Sequence, residues 1–179
     1  TDSSGQVLEH YWFPPNNQGI VSATSVSTIG EGDFVVAWKN FGGGYRAATV
    51  IDGQVSRFDL ETGFTSNDGH LDSIGLGNGD YVIAWERSST KLEFFVDGVT
   101  TSLATGGTNA SLSKTNDGDV IVTSMGGSTG YVKVFNPSSS SVNELISFSI
   151  NNISAIDSTG TATGGYAISY ASNGSIYTS

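Results

Sequence analysis

Four segments of this chain are apolar at nearly every position, and each follows a Gly-acid or Gly-Gly pair. They are Gly32-Asp33-Phe34-Val35-Val36-Ala37-Trp38, Gly79-Asp80-Tyr81-Val82-Ile83-Ala84-Trp85, Gly118-Asp119-Val120-Ile121-Val122-Thr123-Ser124 and Gly164-Gly165-Tyr166-Ala167-Ile168-Ser169-Tyr170. Their first glycines stand at 32, 79, 118 and 164, so the steps are 47, 39 and 46 residues. A short apolar run bounded by turn residues reads as a strand, and one without polar alternation is covered on both faces. Elsewhere the apolar residues alternate. Leu92, Phe94 and Val96 interleave with Lys91 and Glu93, which predicts a strand with one buried face. No stretch sustains a 3.6-residue period, so no helix is expected.

Between these segments the turns recur in order. Asp52-Gly53 and Asp97-Gly98 are hairpin pairs, because tight two-residue turns need positive φ, and Asn136-Pro137 is read as the matching turn of the third copy. Around the first of them the chain predicts a strand from Tyr45 to Ile51 and another from Gln54 to Leu60. A loop from Glu61 to Gly69 follows, then a strand from Leu71 to Leu76 that ends at Gly77-Asn78-Gly79. A second marker, Gly5-Gln6-Val7 and Gly53-Gln54-Val55, precedes Gly32 and Gly79 by 27 and 26 residues. The chain is therefore read as one repeat domain over 1–179. Its copies lie at about 175–179 plus 1–40, 41–87, 88–126 and 127–174. A strand apolar on both faces belongs in the middle of a sheet stacked between two others. About four strands per copy and four copies predict an all-β fold, a four-repeat β-propeller.

The copies begin and end mid-unit. Reading Ile176-Tyr177-Thr178-Ser179 on into Thr1-Asp2-Ser3-Ser4-Gly5-Gln6-Val7 reproduces the strand, turn and Gly-Gln-Val strand seen from Arg46 to Val55. The two ends are thus expected to complement each other in one sheet. That closes a ring within a chain, joins one chain head-to-tail to the next, or marks the sequence as one period of a longer repeat protein.

The strand Gly-Asp-Phe-Val-Val-Ala-Trp at 32–38 and its copy at 79–85 resemble a repeat of large secreted bacterial proteins, RTX-like and adhesin-like surface proteins with Gly-Gly-Phe-Val-Val-Ala-Trp-type strands. The third copy departs from it at Ser124 and the fourth at Tyr170. The resemblance implies an extracellular or cell-surface β-repeat module and does not imply a catalytic site.

Composition narrows the function. Charged residues are 13% of the chain, Ser and Thr roughly a quarter, and the net charge is −10. A nucleic-acid binder needs a basic footprint, which this chain lacks. There is no Cys, so no disulfide contributes, and no apolar run approaches the length of a membrane span.

For catalysis, His10 and His70 are the available imidazoles, and no His-Glu-x-x-His, Gly-x-Ser-x-Gly or P-loop pattern occurs. Arg46, Arg57 and Arg87 stand at different repeat positions, which argues against an arginine cluster for acidic sugars. The expectation is a non-enzymatic secreted structural or adhesive module, self-assembling or part of a longer chain. A carbohydrate-binding lectin of the same fold is the alternative, and a glycoside hydrolase a remote one. Glycan platforms would come from Trp12, Tyr45, Tyr131 and Tyr177, which flank turns. Trp38, Trp85 and Tyr170 are expected in the core. No cofactor is required. Calcium is the one ion the sequence suggests, through the recurring Asp33, Asp80 and Asp119, although a hairpin turn selects the same residue type. Partners are then the protein itself, by strand complementation, or surface glycans. Asn109, Asn152 and Asn173 open glycosylation sequons, at a number that chance explains.

Overall fold

The computed structural model describes residues 21–40, 44–62, 70–86, 90–138 and 141–179. Every regular element among them is a β-strand. Sheet 1 comprises β1 (Val21–Thr28), β2 (Phe34–Asn40), β3 (Gly44–Ile51) and β4 (Gln54–Thr62). Sheet 2 comprises β5 (Leu71–Gly77), β6 (Asp80–Glu86), β7 (Thr90–Val96) and β8 (Val99–Ala104). Sheet 3 comprises β9 (Thr108–Lys114), β10 (Val120–Gly126), β11 (Thr129–Ser138) and β12 (Ser141–Asn151). Sheet 4 has three strands, β13 (Ala155–Gly160), β14 (Tyr166–Ser172) and β15 (Ser175–Thr178). Each sheet is an antiparallel meander whose spatial order follows the chain.

Local chemistry sets the hairpins. Asp52-Gly53, Asn78-Gly79, Asp97-Gly98 and Asn173-Gly174 all hold positive φ at both positions, between 49° and 85°. These are the tight turns whose twist matches the flanking strands. The β1–β2, β9–β10 and β13–β14 links share one wider turn. In each, an amide reaches the carbonyl four residues on: Ile29 to Asp33 (3.0 Å), Thr115 to Asp119 (2.9 Å) and Thr161 to Gly165 (2.7 Å). One expected turn is misplaced. Asn136-Pro137 lies inside β11, paired with Asn143 and Val142, and the reversal comes after Ser138. β10 pairs with β11 only as far as Phe135, so Pro137 interrupts no β10 ladder.

The second strand of each sheet explains the fully apolar segments. On β6, Tyr81, Ile83 and Trp85 join a core shared with sheet 1, where Val35, Ala37, Tyr45 and Ala47 face them. The intervening Val82 and Ala84 point the other way, into a core with Leu112, Val120, Val122 and Phe135 of sheet 3. β10 repeats the device: Val120 and Val122 face sheet 2, and Ile121 enters a third core with Ile168 of sheet 4. Two-sided burial of a strand requires sheets on both sides, and the sequence pattern records that. Trp38 and Trp85 are buried, while Tyr170 is half-buried against the third core. Three cores therefore join sheet 1 to 2, 2 to 3, and 3 to 4. The architecture is a row of stacked antiparallel sheets, and no core of described residues joins sheet 4 to sheet 1.

Candidate functional site

The recurring aspartates have a structural task in each of the first three sheets. Asp33 Oδ1 accepts the backbone N–H of Asp52 at 3.0 Å, and Asp80 Oδ1 accepts that of Asp97 at 2.9 Å. Asp119 Oδ1 accepts the Asn136 side-chain amide at 2.6 Å. An acid at the start of the second strand thus ties down the far end of the third strand, in two sheets at the hairpin turn itself. The three carboxylates stand in three different sheets. Among the described residues, no group of three or more His, Cys, Asp or Glu side chains converges as a metal site would require.

The aromatic candidates also stay apart. Tyr45 is fully buried in the core between sheets 1 and 2, and its hydroxyl donates to the Glu86 carbonyl at 2.6 Å. It cannot present a sugar platform: its strand position faces the neighbouring sheet. The Tyr131 ring is half-buried and lies beside Gly106 and Gly126, and a Cβ on Gly126 would collide with it. Tyr177 is 46% exposed and stacks on Tyr170 at 5.2 Å. Trp12 and His10 fall outside the described residues. His70 is exposed. The sequon residues Asn109, Asn152 and Asn173 all hold positive φ, a conformation that favours Asn without any glycan.

Among the described residues, two groups have shifted pKa values, both between sheets 1 and 2. Burial pushes the Tyr81 hydroxyl well above its ordinary value, and the Glu93 carboxylate pushes it further. Burial also raises Glu93, which sits opposite Ile83 on the face turned to sheet 1. These shifts follow from packing in a sheet interface.

The most organised polar assembly is one the sequence reading passed over. The first strands, β1, β5, β9 and β13, pack side by side along the row. Their register places Ser25, Asp72, Ser111 and Asp157 at one equivalent position. Ser25 donates to Asp72 Oδ1 at 3.3 Å, and Ser111 donates to Asp157 Oδ1 at 3.0 Å. Each aspartate also accepts the next amide of its own strand, Ser73 N–H or Ser158 N–H, at 2.8 Å. Asp72 then reaches forward as well, because its Oδ2 accepts Leu112 N–H at 2.8 Å. Gly75 and Gly160 alternate in step. A Cβ on either would collide with the backbone oxygen of the preceding sheet, that of Thr28 or Lys114. Lys114 in turn donates to the Gly75 carbonyl at 2.7 Å.

The unit of this seam is two sheets. The joints from 1 to 2 and from 3 to 4 are alike, and the joint from 2 to 3 is of a second kind. A sequence signal existed: Asp72-Ser73 and Asp157-Ser158 stand 85 residues apart, and Ser25-Val26-Ser27 and Ser111-Leu112-Ser113 stand 86 apart.

Sheet 4 offers the open surface. Two shallow depressions lie on the face it turns away from sheet 3, both lined by Asp157 and Ser169, one bounded by Ile176 and the other by Thr178. All four residues of β15 are exposed, Ile176 at 80%. Ile168 and Ser179 exchange both backbone hydrogen bonds, at 2.8 and 3.0 Å. In an antiparallel ladder this turns the N–H groups of Tyr177 and Ser175 toward β14, and those of Ile176 and Thr178 outward. Among the described residues, β14 is the one partner of β15, and no helix is long and apolar enough to cross a membrane. No protein-family model matches the chain, and no curated protein matches it.

Proposed function

We propose that this chain is a non-enzymatic structural or adhesive module of the cell exterior that assembles by completing its own sheets, in an open, propeller-like row. The outer edge of β15 carries this reading: among the described residues, sheets 1 to 3 have four strands, sheet 4 has three, and the β15 edge presents two outward N–H groups. A free sheet edge is a template for another strand. The sequence offers a candidate for it in Gly5-Gln6-Val7, which lies outside the described residues and repeats the Gly53-Gln54-Val55 at the start of β4. The donor is the neighbouring chain, which makes the contact head-to-tail. A net charge of −10, few charged residues and the likeness to secreted surface repeats support an extracellular setting. Surface glycans are the second reading, favoured by the exposed Tyr177 ring stacked on the half-buried Tyr170.

Hydrogen exchange on the full chain tests the assembly. Amides of Ile176 and Thr178 are expected to exchange slowly at high protein concentration and quickly on dilution. Thr178→Pro removes one outward N–H without touching the β14 ladder, and it should abolish the concentration dependence. Fast exchange at every concentration sinks the strand-addition reading. Slow exchange at every concentration places the added strand within one chain instead. A glycan array probed with the wild type and Tyr177→Ala decides the second reading.

A further inference from the structure

Residues at equivalent positions in the row differ sharply in exposure at its two ends. Val26 of β1 corresponds to Ser73, Leu112 and Ser158 of the later sheets. Ser73 and Leu112 are 6% and 8% exposed because a preceding sheet covers them, whereas Val26 is 66% exposed. At the other end, Ile176 of β15 corresponds to Tyr45, Thr90 and Gly130. Tyr45 and Thr90 are fully buried against the next sheet, and Ile176 is 80% exposed. An apolar side chain is thus left open at each end of the row, in a position that is an inter-sheet contact everywhere else.

The hydrogen bonding has a matching gap. Asp72 uses Oδ2 to hold Leu112 N–H of the following sheet. Asp157 uses Oδ1 for Ser111 and Ser158, and its Oδ2 has no hydrogen-bond partner among the described residues. The amide at the place of Leu112 in the next unit would be Val26 N–H. Its own strand cannot satisfy it as Asp72 satisfies Ser73, because Ser25 stands where the aspartate would be. Acceptor and donor sit at opposite ends of one molecule.

We infer that the open face of sheet 4 docks on β1 of a second copy of this chain, with Asp157 Oδ2 accepting Val26 N–H, so that the joint between sheets 2 and 3 is reproduced between molecules. The occupant is a second copy because, among the described residues, no core joins sheet 4 to sheet 1 within the chain. The face it would cover also continues an interface already built between sheets 2 and 3, with the Ser–Asp alternation kept in register across the junction. A heterologous contact of this kind propagates. The inference deepens the assembly reading and rests on it, but it concerns sheet faces, whereas strand addition concerns a sheet edge.

Sedimentation velocity over a concentration series tests it with the full chain, Val26→Glu, Ile176→Glu and an equimolar mixture of the two variants. Both side chains are exposed, so the fold is retained, and circular dichroism checks this. The wild type is expected to grow with concentration, and each variant alone to associate about tenfold more weakly or worse. The mixture should form dimers and stop there, because each variant keeps the half of the interface that the other has lost. A wild type that stays monomeric throughout overturns the inference, as does a mixture that forms no dimers. Assembly that survives both variants but is lost in Thr178→Pro overturns the face docking and leaves strand addition standing.

Discussion

Sheet 2 and sheet 4 are copies of one unit in different surroundings. On β6, five consecutive residues from Tyr81 to Trp85 are buried, while on β14 only Ile168 is. Both strands lie in the middle of an antiparallel meander, and both put an aromatic–aliphatic–aromatic triplet toward the preceding sheet: Tyr81, Ile83, Trp85 and Tyr166, Ile168, Tyr170. They differ on the other face. Sheet 2 is covered there by sheet 3, whereas no described sheet covers sheet 4. The residues reflect this. Val82 and Ala84 become Ala167 and Ser169, so the middle strand of sheet 4 turns a smaller and a more polar side chain to its open face. Burial in a row of sheets is conferred by the neighbours, and a terminal sheet is adapted to partial wetting.

The largest effect that would break the comparison is in the middle of the row. Phe94 is fully buried and meets Phe135 edge-on at 5.5 Å. Phe94→Ala is expected to cost about 3–5 kcal/mol in chemical denaturation. Tyr177→Ala, on the open sheet, should cost under about 1 kcal/mol, and equal losses at the two sites would remove the distinction between inner and terminal sheets.

A second pair sharpens the two-sheet unit. Gly75→Ala and Gly160→Ala each drive a methyl group into a backbone oxygen of the preceding sheet. Overpacking of that kind costs about 1–3 kcal/mol, and the two variants should lose similar amounts because their joints are equivalent.

The smallest effect concerns pH. Burial raises the folded-state value of Glu93 above its unfolded one, so the folded protein holds this proton more tightly. The associated stabilisation is complete below the ordinary carboxylate range and is lost as pH rises through the raised value. Glu93→Gln should therefore raise the unfolding free energy at neutral pH, by less than about 1 kcal/mol for a partly exposed group, and leave it unchanged near about pH 3, as chemical denaturation at the two pH values would show.

Strands and turns were legible because their signals are local. The apolar run of β6 and the Asp52-Gly53 and Asp97-Gly98 hairpins each depend on a few adjacent residues. Tyr45 was misjudged as a surface platform because the decisive fact, the neighbouring sheet that buries it, lies some 40 residues away at Glu86. Asn136-Pro137 suggested a turn by residue type, but the ladder with Val142 and Asn143 extends through it. Asp33, Asp80 and Asp119 suited a cation and a turn equally well, and the hydrogen bonds to Asp52, Asp97 and Asn136 supply the second explanation. The seam was overlooked for a different reason. Ser25, Asp72, Ser111 and Asp157 resemble ordinary polar background until strand register aligns them, and their period is twice that of the apolar signal.

That doubled period restricts how such a chain can change in length. If sheet 3 were lost, Asp72 would adjoin the sheet of Asp157, whose inner amide at Ser158 is already held. Two carboxylates would then meet across a joint with no donor between them. If sheets 2 and 3 were lost together, Ser25 would meet Asp157 as Ser111 does now. A change in length by an even number of sheets therefore keeps the Ser–Asp alternation intact, and one by an odd number breaks it, so the pair of sheets is the unit of this seam.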